Sequence, residues 1–223
     1  MSPRNVLGPL DLYVVTDSRL AGERGNLWTI EEAIAGGADV VQLREKDMST
    51  RDMILLGQAL REITREHRVL FIVNDRVDVA LAVDADGVHV GQDDMPARLA
   101  RKLVGPDRIV GVSATTLADA VRAAEDGADY LGVGPIYPTG TKPDAAPATG
   151  PGLVSEARRA TGLPIVGIGG IGPTNAAEVV AAGADGVAVI SAIVGKPDPR
   201  AEARRIREAV AWAKRIRRQD VLP

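Results

Sequence analysis

The sequence predicts a (β/α)8 barrel formed by a single domain over residues 1–223. Eight short apolar segments alternate with amphipathic segments along the chain, a pattern typical of parallel strands covered by helices. A related segment, in which Gly or Ala and then Asp precede a Val-rich run, recurs at residues 36–43, 84–91, 127–134 and 183–190. The chain length fits one barrel of eight such units.

The strands are predicted where Val, Ile and Leu are concentrated, at residues 10–16, 39–44, 69–73, 87–90, 108–112, 130–134, 164–168 and 186–190. The helices are predicted where apolar residues recur every three or four positions, at residues 28–35, 50–66, 75–83, 96–103, 116–125, 152–161, 173–182 and 200–217. The alternative fold is a doubly wound open sheet. No G-x-G-x-x-G fingerprint follows the first strand, and its absence favours the barrel.

Composition and charge exclude several functions. The formal net charge of −3 gives no indication of a nucleic-acid or membrane-surface partner. The sequence contains no apolar run long enough to cross a bilayer and no signal-peptide pattern at its start. The absence of cysteine excludes disulfides and thiolate metal sites and agrees with a reducing compartment. We therefore expect a cytoplasmic protein that acts on small molecules; a homo-oligomer is left open.

Cationic residues are predicted at the C-terminal ends of the strands, where barrel enzymes carry their active sites. Gln42, Arg44 and Lys46 occupy alternate positions at the end of the second strand, so they face one side if the strand continues. Lys142 lies in the long segment 134–152, which we predict to be a mobile active-site loop. Cations that converge on one rim favour a phosphorylated substrate.

Two carboxylates follow neighbouring strands at the same rim. Asp75 follows the third strand and Asp94 the fourth. Mg²⁺ binds one or two carboxylates together with substrate phosphates and water, so the pair predicts a magnesium site. The alternative is that Asp75, and Asp93 or Asp94, cap the helices that follow them.

The segment that contains the seventh and eighth strands predicts a second phosphate site. Gly169 and Gly170 allow close backbone approach, and Ser191 is predicted to open a short helix whose N-terminus favours an anion. The alternative is a pair of ordinary tight turns with Ser191 as an N-cap. For His89, catalysis and simple packing inside the barrel both remain open.

Motifs that cover nearly the whole chain resemble the thiamine-phosphate synthase family. They are QLREK (42–46), NDRVDVA (74–80), GVHVGQDD (87–94), GVSA (111–114), GPIYPTGTKPDA (134–145), GIGGI (167–171) and GADGVAVISAI (183–193). The resemblance implies a transferase of thiamine biosynthesis. Such an enzyme joins a pyrimidine diphosphate to a thiazole phosphate, carboxylated or plain, and releases pyrophosphate, with CO₂ from the carboxylated form. The reaction proceeds through a pyrimidine cation and is assisted by Mg²⁺.

The resemblance also implies roles for individual residues. The catalytic residues it implies are Arg44, Lys46, Ser113 and Lys142. The implied pyrimidine diphosphate contacts are Gln42, Leu43, Arg44, Glu45, Lys46, Asn74, Ser113 and Lys142. The implied thiazole phosphate contacts are Thr139, Gly140, Thr141, Gly170, Ile190 and Ser191. Asp75 and Asp94 would bind Mg²⁺.

One position departs from the family pattern. Thr115 stands where members often carry a histidine, a residue type on which the related thiazole tautomerase relies near the fifth strand. The lysine-bearing TGTK loop and both acidic motifs favour the synthase. The alternatives are a phosphosugar isomerase or epimerase, which would release no pyrophosphate, and a non-enzymatic regulator, against which the intact motifs argue.

Overall fold

A closed barrel of eight parallel strands forms the centre of the molecule, in the computed structural model that describes residues 7–141 and 146–219. The strands are β1 Leu12–Val15, β2 Val40–Leu43, β3 Leu70–Asn74, β4 Gly87–Val90, β5 Ile109–Ala114, β6 Tyr130–Val133, β7 Ile165–Ile168 and β8 Gly186–Val189. Each strand pairs in parallel with its sequence neighbours, and β8 pairs with β1. The predicted barrel is confirmed.

Helices cover the outside of the barrel. They are α1 Ser18–Ala21, α2 Gly25–Ala35, α3 Thr50–His67, α4 Val77–Ala82, α5 Ala97–Val104, α6 Leu117–Glu125, α7 Gly152–Thr161, α8 Ala176–Ala181 and α9 Pro199–Gln219. The sequence pattern missed α1 and the 3-10 turn Gly22–Arg24 that follows it. Helix α1 forms because the Asp17 carboxylate accepts the backbone N–H groups of Arg19 and Leu20.

Alternate residues of each strand face opposite sides of the barrel wall. In β2, Val41 and Leu43 pack in the outer layer against the helices, whereas Val40 belongs to the inner layer with Tyr13 and Tyr130. All of these side chains are buried, which explains why the strands read as continuous apolar runs.

Two strand glycines make room for polar aromatic groups inside the barrel. A Cβ at Gly111 would lie 2.2 Å from the ring of Tyr130, and a Cβ at Gly132 would lie 2.9 Å from the ring of His89. Neither distance is compatible with a larger residue, so these glycines allow the two rings to reach the barrel interior.

Aspartates repeat at the N-terminal end of the barrel. Each one precedes an even-numbered strand and accepts a backbone N–H from the first or second residue of the odd-numbered strand before it. They are the aspartates of the Gly-Ala-Asp repeat and its variant, namely Asp39, Asp86, Asp129 and Asp185. The repeat that helped to predict the fold therefore satisfies strand N–H groups that have no partner in the sheet.

Each of these aspartates also pairs with an arginine from a helix. Asp86, for example, accepts two hydrogen bonds from Arg61 of α3, at 2.9 and 3.0 Å, and one from the Phe71 N–H at 2.8 Å. The four arginines, in the order of the aspartates above, are Arg207, Arg61, Arg101 and Arg158. We call these four pairs the Asp–Arg clamps.

Candidate active site

One cavity of about 630 Å³ opens at the C-terminal ends of the strands. It brings together most of the residues that the sequence singled out. Those that line it are Gln42, Arg44, Lys46, Asn74, Asp75, His89, Asp94, Ser113, Thr115, Thr139, Gly140, Thr141, Gly169, Gly170, Ile190 and Ser191. Lys142 lies outside the described residues, and its predicted role stays a prediction.

The chain bends after β2, and the bend decides which residues face the cavity. The buried Thr16 hydroxyl accepts the Arg44 N–H at 2.9 Å, and the Thr16 N–H donates to the Gln42 carbonyl at 2.9 Å. Lys46 thereby returns to the cavity although β2 ends at Leu43. Gln42, Arg44 and Lys46 therefore all line the cavity, as their alternate positions predicted, although Arg44 and Lys46 lie beyond the end of β2.

Two residues of the predicted pyrimidine diphosphate set point elsewhere. The Leu43 side chain is fully buried in the outer layer, next to Gly57 of α3. The Glu45 carboxylate accepts the Ser18 N–H at 3.1 Å and the Asn26 amide at 2.7 Å. The substrate contacts predicted for Leu43 and Glu45 stay predictions. The positions of their side chains do not favour them.

Asp75 and Asp94 lie close together beside Lys46. The Lys46 ammonium is 2.7 Å from the Asp75 carboxylate, and Asp94 accepts the Gly91 N–H at 2.9 Å. Burial, followed by the adjacent Asp75 carboxylate, raises the pKa of Asp94. Two carboxylates that repel each other at the mouth of a cavity fit a divalent cation, which would relieve that repulsion.

The carboxylates of Asp75 and Asp94 form a donor set that suits Mg²⁺. Over the ranges 7–141 and 146–219, no cluster of three or more His, Cys, Asp or Glu could hold a metal ion. A pair of carboxylates leaves most positions of an octahedral ion to phosphate and water, as Mg²⁺ prefers. The residues therefore fit Mg²⁺ bound together with a phosphorylated substrate.

The alternative that these aspartates serve as helix caps is wrong. The N-cap of α4 is Arg76 and that of α5 is Pro96, and neither helix start receives a side-chain cap hydrogen bond. Asp75 instead adopts a left-handed backbone conformation, with φ of 59°. Such a conformation in a non-glycine residue is often found at functional sites.

Glycines allow the loop after β7 to pack closely against the segment after β6. Gly169 and Gly170 have φ values of 95° and 65°. A Cβ at Gly169 would lie 2.6 Å from Pro135, and a Cβ at Gly170 would lie 2.7 Å from the Pro138 carbonyl oxygen. Both the conformation and the close approach therefore require glycine.

The loop after β8 differs from its prediction. Residues 191–195 form a turn rather than a short helix, and the next helix begins at Pro199. The Ile190 carbonyl closes the turn by accepting the N–H of Val194 at 2.8 Å. The Ser191 hydroxyl lies 3.2 Å from the Thr141 hydroxyl, so residues predicted to hold the thiazole phosphate do come together.

Hydrogen bonds fix both ends of the segment 134–152. The Ile136 N–H donates to the Ile168 carbonyl at 2.8 Å, and the Thr149 N–H donates to the Pro135 carbonyl at 2.8 Å. Residues 142–145 lie outside the described part of the chain. The predicted mobility of this loop stays a prediction.

A chain of hydrogen bonds crosses the floor of the cavity. Gln42 Nε2 donates to the Tyr13 hydroxyl at 2.7 Å, and the Tyr13 and Tyr130 hydroxyls are 2.9 Å apart. The Tyr130 hydroxyl is 2.9 Å from His89 Nδ1, and His89 Nε2 is 2.9 Å from the Ser113 hydroxyl. Neither tyrosine was singled out from the sequence. The sequence feature that could have identified this chain is the pair of strand glycines, Gly111 and Gly132, that make room for the rings of Tyr130 and His89.

Burial keeps the groups in the middle of this chain uncharged. It raises the pKa values of Tyr13 and Tyr130 well above their ordinary range. It also lowers the pKa of His89 to about 4, although the Asp94 charge acts in the opposite direction. His89 is therefore a neutral imidazole near pH 7.

Thr115, which replaces the family's usual histidine, contributes to a helix start. Its hydroxyl and its N–H donate to the Asp119 carboxylate, at 3.0 and 3.2 Å. Asp119 also completes a capping box with Thr116 at the start of α6. The Thr115 hydroxyl hydrogen is thus used within the protein.

The closed barrel, the cation–carboxylate group and the glycine-rich loops around one cavity define a β/α-barrel enzyme that acts on small molecules. Residues 12–193 match the model of a family described as thiamine monophosphate synthase. The chain therefore belongs to the thiamine monophosphate synthase family, and it is a transferase of thiamine biosynthesis.

Individual relatives agree with this assignment. The chain is 55% identical over 204 residues to a thiamine-phosphate synthase from Moorella thermoacetica, covering 92% of this chain and 97% of the relative. It is 58% identical over 200 residues to one from Chloroflexus aurantiacus, covering 90% and 92%. A solved thiamine phosphate pyrophosphorylase from Pyrococcus furiosus superimposes with a TM-score of 0.85 at 44% identity, covering 94% and 98%.

More distant structures share the fold alone. A 3-hexulose-6-phosphate synthase superimposes with a TM-score of 0.63 at 21% identity, covering 89% of this chain and 99% of that one. This likeness gives the isomerase and epimerase alternative no support beyond the barrel itself. Within residues 7–141 and 146–219, no helix has the length and apolar character needed to cross a membrane.

Proposed function

We propose that the protein joins a pyrimidine diphosphate to a thiazole phosphate, giving thiamine phosphate and pyrophosphate. The observation that carries this proposal is that the two groups of residues predicted to bind anions line one cavity of about 630 Å³. Lys46, Asp75 and Asp94 lie on one side, and Gly170 and Ser191 lie on the other. Two sites of different chemistry suit two substrates, one with a diphosphate and one with a monophosphate.

Arg44 and Lys46 would stabilise the departing pyrophosphate. As the bond between the pyrimidine methylene and the diphosphate oxygen breaks, its electron pair leaves with pyrophosphate, and nearby cations offset the growing negative charge. Both residues line the cavity. Lys142, predicted from the sequence to act in the same way, would add a third cation.

Asp75 and Asp94 would hold Mg²⁺ on the diphosphate side. When bound, Mg²⁺ supplies additional positive charge to the leaving group. The two carboxylates orient the site, and the ammonium of Lys46, now paired with Asp75 at 2.7 Å, would be released toward the phosphates.

The protein needs no side-chain nucleophile in this reaction. The pyrimidine cation is stabilised by its own amino group, and the thiazole nitrogen donates its electron pair to the methylene carbon to form the new bond. A carboxylated thiazole then loses CO₂. The protein must hold the substrates in contact and exclude water, which would trap the cation. Gly170, Thr141 and Ser191 would hold the thiazole phosphate in reach.

The experiment that tests the proposal is synthesis from defined components. Purified protein is mixed with pyrimidine diphosphate, thiazole phosphate and Mg²⁺, and thiamine phosphate and pyrophosphate are measured in equal amounts. Chelation of Mg²⁺ should reduce the rate strongly. Parallel reactions with carboxylated and plain thiazole phosphate, with CO₂ measured, establish the preferred substrate. No thiamine phosphate above the protein-free background would contradict the proposal.

A further inference from the structure

The hydrogen-bond chain on the cavity floor connects two residues that line the substrate site from opposite sides. It starts at Gln42 of β2 and ends at Ser113 of β5, and Tyr13, Tyr130 and His89 lie between them. The three intermediate side chains are buried, with exposed fractions of 2%, 1% and 8%. Their polar atoms therefore have to find partners in each other rather than in water.

The donor at one end fixes the direction of the whole chain. Gln42 Nε2 can only donate, so the Tyr13 hydroxyl accepts from it. The Tyr13 hydrogen then has the Tyr130 oxygen, at 2.9 Å, as its acceptor. The Tyr130 hydrogen in turn has His89 Nδ1 as its acceptor, at 2.9 Å.

The protonation state of the imidazole follows from this direction. If Nδ1 of His89 accepts, a neutral ring carries its hydrogen on Nε2 and donates it to the Ser113 hydroxyl oxygen at 2.9 Å. A doubly protonated ring would donate to Tyr130 instead. One of the two phenol hydrogens, on Tyr13 or Tyr130, would then have no acceptor among the residues described in this cavity, which is unfavourable in a buried site.

We propose that Tyr13, Tyr130 and His89 are positioning residues that hold the Ser113 hydroxyl as a hydrogen-bond donor toward the pyrimidine diphosphate. The Ser113 oxygen accepts from His89, so the Ser113 hydrogen points to the substrate. Gln42 is fixed at the same time, because Tyr13 holds its amide nitrogen, while its carbonyl oxygen has no partner among the described residues and can accept from the substrate. This inference rests on the proposed function for the identity of the substrate.

The tautomer of His89 is the direct test, and it needs no substrate. The chain has only two histidines, so heteronuclear NMR of the ring nitrogens in protein without a polyhistidine tag resolves them. A His67→Gln variant assigns the signals. We expect His89 to carry its hydrogen on Nε2 and to accept at Nδ1. A hydrogen on Nδ1, or on both nitrogens, would overturn the proposal.

The Tyr130→Phe variant tests the link to catalysis. It removes the hydroxyl between Tyr13 and His89, so the His89 ring loses the donor that fixes its tautomer. We expect NMR to show a mixture of tautomers and kcat/KM for the pyrimidine diphosphate to fall about tenfold, the scale of a disrupted hydrogen-bond network. The KM for the thiazole phosphate should not change.

The matched control is Tyr137→Phe, which removes a phenol hydroxyl that donates to Glu178 at 2.7 Å and does not line the cavity. It should leave both the tautomer and kcat/KM unchanged. A Tyr13→Phe/Tyr130→Phe double variant should show the same mixture of His89 tautomers as Tyr130→Phe alone, because Tyr13 reaches the ring only through Tyr130. A fixed wild-type tautomer in Tyr130→Phe, or wild-type kcat/KM in that variant, would overturn the inference.

The two proposals fail in different ways. If wild-type protein makes no thiamine phosphate, the proposed function is wrong, and the tautomer still shows whether the hydrogen bonds run from Gln42 toward Ser113. If thiamine phosphate forms but His89 carries its hydrogen on Nδ1, the function stands and the positioning role is wrong.

Discussion

At the N-terminal end of the barrel, Asp86 accepts three hydrogen bonds from Arg61 and Phe71. At the C-terminal end, the hydrogen bonds of Arg44 to other described residues involve its backbone alone. Both ends use aspartate and arginine, yet the Asp86 carboxylate is engaged within the protein, whereas the Arg44 guanidinium has no hydrogen-bond partner among the described residues. Open hydrogen-bonding capacity around a cavity is what a charged substrate requires, whereas used capacity stabilises the fold.

The largest expected effect is on activity. Arg44→Ala removes a cation from the cavity without removing a side-chain hydrogen bond or ion pair among the described residues. We expect kcat/KM to fall about a hundredfold, while the free energy of unfolding changes by less than about 0.5 kcal/mol. Steady-state kinetics and urea unfolding measure the two quantities.

The control for this variant is Arg98→Ala, which removes an exposed arginine that pairs with Asp126 and does not line the cavity. It should alter neither quantity appreciably. Wild-type kcat/KM in Arg44→Ala would remove Arg44 from the site and with it the distinction between the two ends.

Stability should depend on pH through His89. The ordinary pKa of 6.5 falls to about 4 in the folded protein. The unfolded chain therefore takes up a proton below pH 6.5, which the folded protein does not do until about pH 4. As pH falls through this window, folding should lose up to about 3 kcal/mol from this group.

The comparison that isolates this effect is wild-type protein against His89→Asn in metal-free buffer. Tyr130 and Ser113 contact the ring, and the Asp94 charge opposes the pKa shift; all three are retained in the variant. Urea unfolding at several pH values should show a steeper loss of stability in the wild type. Equal slopes would mean that His89 is not a buried neutral group.

A smaller loss is expected at the N-terminal end. Asp86→Asn removes the charge that pairs with Arg61 and should lower the free energy of unfolding by about 2 kcal/mol, with kcat/KM unchanged. The matched control is Asp84→Asn at an aspartate whose side chain is 65% exposed, for which the expected loss is under about 0.5 kcal/mol. Similar losses in the two variants would show that the Asp–Arg clamps do not stabilise the barrel.

The smallest expected effect concerns Glu45, a residue near the cavity whose carboxylate is nevertheless engaged within the protein. Glu45 lies near the active end, but its carboxylate is occupied by Ser18 and Asn26. If these hydrogen bonds, rather than nearness to the cavity, decide what Glu45 does, Glu45→Gln should lower the free energy of unfolding by about 1 kcal/mol. It should change kcat/KM less than about twofold. Thermal unfolding and kinetics test this. A large kinetic loss at unchanged stability would instead place Glu45 on the substrate, as the family resemblance implies.

The barrel could be predicted because parallel strands buried on both faces leave a strong apolar signal. All eight strands begin and end close to their predicted bounds. Helix α1 could not be predicted in this way, since its four residues depend on one cap, Asp17. The turn after Ser191 was mistaken for a helix because one closed turn and a short helix begin with the same residue types.

The site was predicted in part because polar residues at strand ends stand out against apolar strands. The convergence of Lys46, Asp75 and Asp94 follows from that rule. Tyr13 and Tyr130 were missed because a tyrosine within an apolar strand reads as core. The sequence signal for Tyr130 is that it pairs with a glycine, Gly111, on the neighbouring strand. That glycine leaves room for the tyrosine ring inside the barrel.

The Asp–Arg clamp between Asp39 and Arg207 has a consequence for the order in which the chain folds. Arg61 and Asp86 are 25 residues apart, whereas Arg207 and Asp39 are separated by 168. Closing the longer loop costs about 1.7 kcal/mol more entropy. Arg207 lies in α9, which leaves the ribosome after all eight strands of the barrel. A nascent chain can therefore complete three clamps before α9 emerges, and the fourth clamp then joins α9 to the segment before β2.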